Sequence, residues 1–165
     1  AVEMDQQLSK NSLKNLNKIA DVLTGVEHIY TIGRGVSFST ALEAALKIKE
    51  VTYIHTEGLA GGELKHGPIA LITQGTPCIV FAPHDETYQA ILSNAMEIKA
   101  RGGVIIGVAE KKEEVFDYFI RVKDTGDATM ICQILPMQYL SYKIAVIKNY
   151  DPDKPRNLAK SVTVK

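Results

Sequence analysis

Short apolar runs alternate along the chain with longer segments in which apolar residues recur at helical spacing. Four runs rich in Val, Ile, Tyr or Phe predict strands that begin near His28, Thr76, Val104 and Tyr118. The longer segments predict four helices, which run from Met4 to a stop at Gly25, from about Phe38 to His55, from Thr87, and from Thr129. Pro136, inside the last segment, predicts either a kink or the true start of that helix.

The predicted order is helix, strand, helix, strand, helix, strand, strand, helix. Short Val- and Ile-rich strands alternating with helices favour an α/β fold, a three-layer αβα sandwich with a mostly parallel sheet. With 165 residues, the chain is expected to form one domain, 1–165. The polar, proline-containing tail, 151–165, is expected to lie over the surface.

Composition narrows the function. The chain has 19 basic and 19 acidic residues and no basic block, so no nucleic-acid partner is expected. No apolar run reaches about 18 residues, so no membrane span is expected either. Cys78 and Cys132 lack metal-ligand spacing and are interpreted as buried free thiols in a reducing cytoplasm. No metal cluster is recognised, and no cofactor is expected.

The first candidate site is the turn Gly33-Arg34-Gly35, between a predicted strand and the following helix. Glycines there let the backbone approach a ligand, and a helix N-terminus favours an anion. Ser37, Ser39 and Thr40 follow and could add hydroxyl donors. The alternative is a tight turn with an N-cap serine.

The second candidate is a charged face on the helix that follows this turn. At about 100° per residue, Glu43, Lys47 and Glu50 fall within an arc of roughly 60°. The opposite arc carries Ala41, Leu42, Ala45, Leu46, Ile48 and Val51. A solvated Glu–Lys pair is the simpler interpretation. The helix starts at the strand end where a ligand is expected, however, and a carboxylate beside a lysine there could transfer protons.

Two further residues are candidates for chemistry. His66 lies in "EGLAGGELKHGP", which is predicted to be neither strand nor regular helix, and histidine can move a proton near neutral pH. His55, at the predicted end of the preceding helix, is interpreted as a capping residue. Lys160 in the tail is a solvated lysine by composition, although a lysine with a lowered pKa can form a Schiff base with a ketone.

The segments "ALEAALKIKE", "ELKHGP" and "PRNLAKSVTV" closely resemble one family, the glucosamine-6-phosphate synthases, which are isomerising glutamine–fructose-6-phosphate aminotransferases. The isomerase region of that family has two sugar-isomerase (SIS) domains, and this chain resembles the second over nearly its whole length. The resemblance implies a flavodoxin-like fold. It also implies a part in making glucosamine 6-phosphate from fructose 6-phosphate and ammonia.

The resemblance also implies roles for four residues. Glu50 matches the carboxylate that shuttles a proton between C1 and C2 of the sugar, and Lys47 matches the lysine that interacts with it. His66 matches the histidine associated with ring opening, which the family contributes across a dimer interface. Lys160 matches the lysine that forms a Schiff base with the ketose. The candidate substrate-binding residues are Gly33, Arg34, Gly35, Ser37, Glu43 and Ala159.

Two departures from the family pattern define the expected partners and alternatives. The chain starts with Ala1 rather than a cysteine nucleophile, and it lacks a cluster like the Ser/Thr-rich phosphate loop of the first SIS domain. Upstream SIS and glutaminase domains are therefore expected in a full-length chain. One alternative is a stand-alone aldose–ketose isomerase that binds phosphate through Ser37, Ser39 and Thr40. The other is a non-catalytic sugar-phosphate sensor or dimerisation module, in which Glu50 would be expendable.

Overall fold

A computed structural model describes residues 2–158, which form a five-stranded parallel sheet between two layers of helix. The strands are β1 His28–Gly33, β2 His55–Ala60, β3 Pro77–Ala82, β4 Val104–Ala109 and β5 Tyr118–Arg121. The α-helices are α1 Val2–Gln7, α2 Lys10–Thr24, α3 Ser37–Thr52, α4 Tyr88–Lys99 and α5 Thr129–Ile147. Three 3₁₀ helices span Gly61–His66, Pro68–Leu71 and Gly126–Ala128. The strand order β2-β1-β3-β4-β5 is flavodoxin-like and confirms the predicted fold.

Each face of the sheet has its own apolar core. On the first face, alternate residues such as Ile29, Phe81 and Ile106 pack against α2, α3 and α5. On the second face, intervening residues such as Val80 and Ile105 pack against α4 and the first 3₁₀ helix. This alternation is why the central strands read as continuous apolar runs in the sequence.

The structure corrects the predicted elements around the third helix. That helix ends at Thr52, with Tyr53 in the left-handed region at φ 59°, and His55 begins strand β2 instead of capping the helix. The sequence of β2 is HTEGLA, and only Thr56 in it is fully buried, so it carries no apolar run to recognise. Gly58 is required there because a Cβ would lie 2.9 Å from the Cα of Leu42.

Two helices also differ from the prediction at their starts. The N-terminal segment is broken into α1 and α2, and the side chain of Ser9 caps α2 by accepting a hydrogen bond from the amide of Ser12. Helix α5 begins at Thr129, so Pro136 lies inside it and does not mark its start.

Helix α5 is the central helix of the first face. Among residues 2–158 it is the one helix long and apolar enough, by length and composition, to cross a membrane, which the sequence analysis did not expect. The core helix of a soluble protein meets the same criterion. Met137, Leu140 and Ile144 are fully buried against α2 and α3, so α5 serves as a core helix in this fold.

Both cysteines are buried free thiols, as predicted. Cys78 lies within β3 and Cys132 within α5. Burial raises the pKa of the Cys78 thiol, which keeps it protonated and unreactive.

Candidate functional site

Lys47 and Glu50 form an ion pair near the C-terminal end of α3. The Lys47 Nζ lies 2.8 Å from Glu50 Oε2 and 3.6 Å from Glu43 Oε1, as their helical spacing predicts. The Lys47 and Glu50 side chains are 30% and 31% exposed, so the pair is only partly solvated. The pKa of Lys47 is raised, mainly because its ammonium donates a hydrogen bond to Glu50. The geometry therefore holds a carboxylate beside a fixed positive charge.

The pair lines a small groove between α3, α5 and the start of the tail. The groove has a volume of about 130 Å³, and its walls include Tyr142 of α5 and Pro152 of the tail. The rest of α3 departs from the predicted apolar arc, because Leu42 and Leu46 are exposed. The buried side of α3 is instead made mostly of small residues, which bring the helix close to β1 and α5. They are Ser37, Thr40, Ala41, Ala44, Ala45, Ile48 and Thr52.

The tail is anchored at Tyr53, directly after α3. The backbone N–H of Arg156 donates to the Tyr53 hydroxyl at 2.9 Å, and the Arg156 guanidinium lies 3.9 Å from the centre of the Tyr53 ring. The ring of Tyr150 packs against the same ring, with 4.9 Å between centroids. These contacts hold the tail at the end of α3 that carries Glu50. Ala159 and Lys160 lie outside the described residues.

The turn Gly33-Arg34-Gly35 is packed against its own helix. A Cβ on Gly33 would lie 2.1 Å from the carbonyl oxygen of Ser37, which explains the glycine without a ligand. Ser37 is 1% exposed, and its hydroxyl donates to Gln133 Oε1 at 3.2 Å. The Arg34 Nε donates to Asn94 Oδ1 at 2.9 Å. Gly35 has φ 51° and faces open space apart from Thr87.

The crevice beside this turn, where the strand order reverses between β1 and β3, is acidic. A cavity of about 490 Å³ lies there, and Asp85, Glu86 and Asp124 are among its lining residues. Asp85 and Asp124 accept hydrogen bonds from backbone amides of their own turns. No basic residue is among those lining it within the described part of the chain. These carboxylates oppose the binding of a phosphate group.

The charged face does not lie at this end of the sheet, contrary to expectation. Glu50 is 13 residues beyond Ser37 on one helix, which corresponds to about 20 Å. Helix α3 returns antiparallel to β1, so its last turn reaches the amino edge of the sheet. The turn at Gly33 and the Lys47–Glu50 pair therefore cannot contact one small ligand within a single chain.

His66 ends the first 3₁₀ helix, after β2. Its Nδ1 lies 3.0 Å from Glu63 Oε2, and the two side chains are 71% and 67% exposed. In the same 3₁₀ helix, Leu64 is buried in the second-face core, and Lys65 pairs with Glu97 of α4 at 2.8 Å. The segment that carries His66 thus packs on the second face, whereas Glu50 lies on the first. The sheet separates the two side chains.

Four residues that position these features were not among those predicted from the sequence. Tyr53 and Arg156 anchor the tail, Asn94 orients Arg34, and Gln133 binds Ser37. Each partnership joins residues at least 60 positions apart in sequence, so no local spacing signals it. Arg156 does belong to the motif "PRNLAKSVTV", and the proline directly before it is the one local signal that could have drawn attention to it.

Comparisons with known proteins agree on one family. The family model described as SIS domain matches residues 22–148. The chain is 48% identical over 164 residues to glutamine–fructose-6-phosphate aminotransferase (isomerizing) of Pyrococcus horikoshii, covering 96% of this chain and 27% of that protein. The chain thus spans about a quarter of the length of this curated relative.

Solved structures give the same result. The C-terminal domain of glucosamine-fructose-6-phosphate aminotransferase from Francisella tularensis matches with a TM-score of 0.77 and 36% identity, over 86% of this chain and 41% of that one. Glucosamine-6-phosphate deaminase from Thermotoga maritima matches with a TM-score of 0.68 and 25% identity, over 89% of this chain and 46% of that one. The resemblance found in the sequence is therefore confirmed.

Proposed function

This chain belongs to the SIS domain family, and from that premise we propose that it supplies the proton-transfer residues that help convert fructose 6-phosphate and ammonia into glucosamine 6-phosphate. The observation that carries the proposal is the Lys47–Glu50 ion pair, 2.8 Å apart and lining a groove. The names of the relatives support the same reaction, since P. horikoshii glutamine–fructose-6-phosphate aminotransferase is 48% identical over 164 residues.

Glu50 is the proposed proton carrier. After ring opening, the C2 ketone loses water to form a Schiff base with the amine of Lys160, and ammonia then displaces that lysine to leave an imine at C2. A base then takes a proton from C1 and returns one to C2, which yields the amino-aldose. Lys47 occupies Oε2 of Glu50, whereas Oε1 accepts no hydrogen bond from residues 2–158 and is the oxygen we assign to the substrate.

Lys160 is the proposed Schiff-base lysine, in a catalytic tail at 151–165. Tyr53, which binds Arg156, is only three residues beyond Glu50. Lys160 is four residues beyond Arg156, and four extended residues span at most about 14 Å. The length of the tail therefore allows Lys160 to reach the groove.

The complete site is proposed to form between two copies of the chain. His66 and Glu50 lie on opposite faces of the sheet, so one chain cannot bring them together. A homodimer in which each copy lends His66 to the groove of the other solves this problem. The acidic crevice beside Gly33 is poorly suited to phosphate, so the proposed upstream SIS domain would hold the phosphate and a glutaminase domain would supply ammonia. The buried free thiols fit a reducing cytoplasm.

The two alternatives are less well supported. A stand-alone isomerase would need Ser37, Ser39 and Thr40 for phosphate, but Ser37 and Thr40 are buried and only Ser39 is exposed. A sugar-phosphate sensor would bind ligand without needing Glu50. The proposed enzyme and the sensor therefore differ in what removal of the Glu50 carboxylate should do.

The test is Glu50→Gln in the full-length gene product, with glucosamine 6-phosphate formation measured from fructose 6-phosphate and glutamine or ammonia. We expect turnover to fall by about 10²- to 10⁴-fold, because a general base is lost, while unfolding is little changed. Glu114→Gln is the control and should keep wild-type turnover, since Glu114 is an exposed carboxylate that does not line the groove. Full turnover in Glu50→Gln would mean that the proposed role of Glu50 is wrong.

A further inference from the structure

Two histidines face each other at the amino edge of the sheet, the edge that the proposed catalytic groove also reaches, and neither of them lines that groove. His28 begins β1 and His55 begins β2, and the two are register partners in the parallel ladder. Their Nδ1 atoms are 3.2 Å apart, and both residues are exposed. Their rings meet edge to face, with 5.2 Å between centroids and 77° between planes.

The strand register fixes this arrangement. Neighbouring strands lie about 4.8 Å apart, and register partners point to the same face of a sheet. Ile29 belongs to the first-face core and Tyr30 to the second-face core, so His28 and His55 lie on the second face. Neither imidazole is needed for the apolar core or for the proposed proton transfer.

A carboxylate lies next along the same face. Glu57 is two residues beyond His55 and is the register partner of Tyr30. The pKa of Tyr30 is raised, first by burial and then by the charge of Glu57. The pair of imidazoles thus lies beside a negative charge that favours a cation.

We propose that His28 and His55 form a binding site for a late first-row divalent metal ion. Metal–nitrogen bonds of about 2.0–2.1 Å would span the two Nδ1 atoms with an angle of about 100° at the metal, between square-planar and tetrahedral values. Imidazole suits Cu²⁺, Ni²⁺ and Zn²⁺, and the general order of affinity puts Cu²⁺ first. The metal takes both Nδ1 lone pairs, and the ring that now donates from Nδ1 becomes its Nε2–H tautomer, with solvent carrying the proton from one nitrogen to the other.

The site is open. Within residues 2–158, no group of three or more His, Cys, Asp or Glu side chains is arranged to hold a metal. Water therefore fills the remaining coordination positions, and the bound ion is exchangeable. A metal held this way also joins edge strand β2 to β1, so it should stabilise the folded chain.

The chain carries four histidines, which makes a matched experiment possible. Calorimetric titration of the 165-residue chain with Cu²⁺, Ni²⁺ and Zn²⁺ compares His28→Asn and His55→Asn with His66→Asn and His84→Asn. We expect one ion per chain, the tightest binding for Cu²⁺, and about a tenfold or greater loss of affinity in each of the first two variants. The two control variants should bind as the wild type does.

A second measurement works on the wild-type chain and does not depend on any variant folding. Electron paramagnetic resonance of the Cu²⁺ complex should show hyperfine coupling to imidazole nitrogen from two histidines. Unchanged affinity in His28→Asn and His55→Asn, an equal loss in the His66 and His84 controls, or a Cu²⁺ spectrum without imidazole nitrogen would each overturn the proposal.

Discussion

The Lys47–Glu50 pair and the segment that carries His66 differ in how many of their contacts are made within a single chain. The pair is closed by a 2.8 Å contact, is about one-third exposed, and has walls from α5 and the tail. His66 is 71% exposed and has Glu63 as its hydrogen-bond partner among the described residues. The two regions lie on opposite faces of the sheet. One chain therefore carries the two parts of the proposed site separately: the Lys47–Glu50 pair, which is already in contact, and His66, which points outward.

The largest effect on turnover is expected from a change at His66. If the proposed role of His66 holds, His66→Asn should lower turnover of the full-length gene product by about 10²- to 10⁴-fold, because a proton-transfer group is then lost. The free energy of unfolding should change by no more than about 0.5 kcal/mol, because the side chain is mostly exposed. Steady-state kinetics and urea unfolding measure the two quantities.

Leu64→Ala sharpens the same comparison within one 3₁₀ helix. Leu64 is 1% exposed in the second-face core, so its truncation should cost about 2–5 kcal/mol of stability. If His66→Asn destabilises the fold as much as Leu64→Ala does, the histidine is structural and its proposed role is wrong.

A smaller effect is expected at the anchor of the tail. Tyr53→Phe removes the hydroxyl that accepts the Arg156 N–H but keeps the ring under the guanidinium. We expect faster hydrogen exchange at the Arg156 amide and up to about a tenfold fall in kcat, because the tail is held less firmly. Tyr118→Phe, on edge strand β5, is the control and should change neither quantity. Unaltered exchange at Arg156 in Tyr53→Phe would mean that the tail is held by other contacts.

The central strands and the charged face could be predicted from the sequence, for physical reasons that particular residues show. Strands β1, β3 and β4 are buried on both faces, so each reads as an apolar run. Glu43, Lys47 and Glu50 lie at helical spacing, so their proximity required no tertiary information. Strand β2 is an edge strand with one fully buried residue, and its pairing partner β1 determines it more than its own sequence does.

The predicted position of the charged face was wrong, although a rule of sheet topology could have corrected it. A helix between parallel strands runs back along the sheet, so its end lies at the amino edge. The assignment of His66 to the second face required knowing on which side each connection crosses. Contacts such as Tyr53 to Arg156 span 103 positions, and no pattern in the sequence reports them.

The smallest expected effect is the pH dependence of the stability that the Lys47–Glu50 pair contributes. The pKa of Lys47 is raised above its ordinary 10.5, chiefly by the hydrogen bond to Glu50. A raised pKa means that the stabilisation is fully present below that ordinary value and is lost as pH rises through the folded value. The pair is partly exposed, so the contribution is at most about 1 kcal/mol. The stability difference between wild type and Lys47→Met should therefore shrink at alkaline pH, and urea unfolding at about pH 9 and about pH 11.5 measures it. If the stability difference is the same at both pH values, the Lys47–Glu50 ion pair is not its source.

The central claim is that Glu50 of one copy works with His66 of another, and complementation between inactive variants tests it most directly. Glu50→Gln and His66→Asn subunits of the full-length gene product, carrying different tags, are co-expressed and the mixed dimers are purified. Each mixed dimer then has one site with both residues intact and one with neither, so about half of the wild-type activity should return. Mixed dimers of Glu50→Gln with Lys47→Met are the control and should be no more active than the average of their two parents, because those two residues lie 2.8 Å apart in one chain. Recovery to about half of wild type supports the shared site, and mixed dimers as inactive as their parents would contradict it.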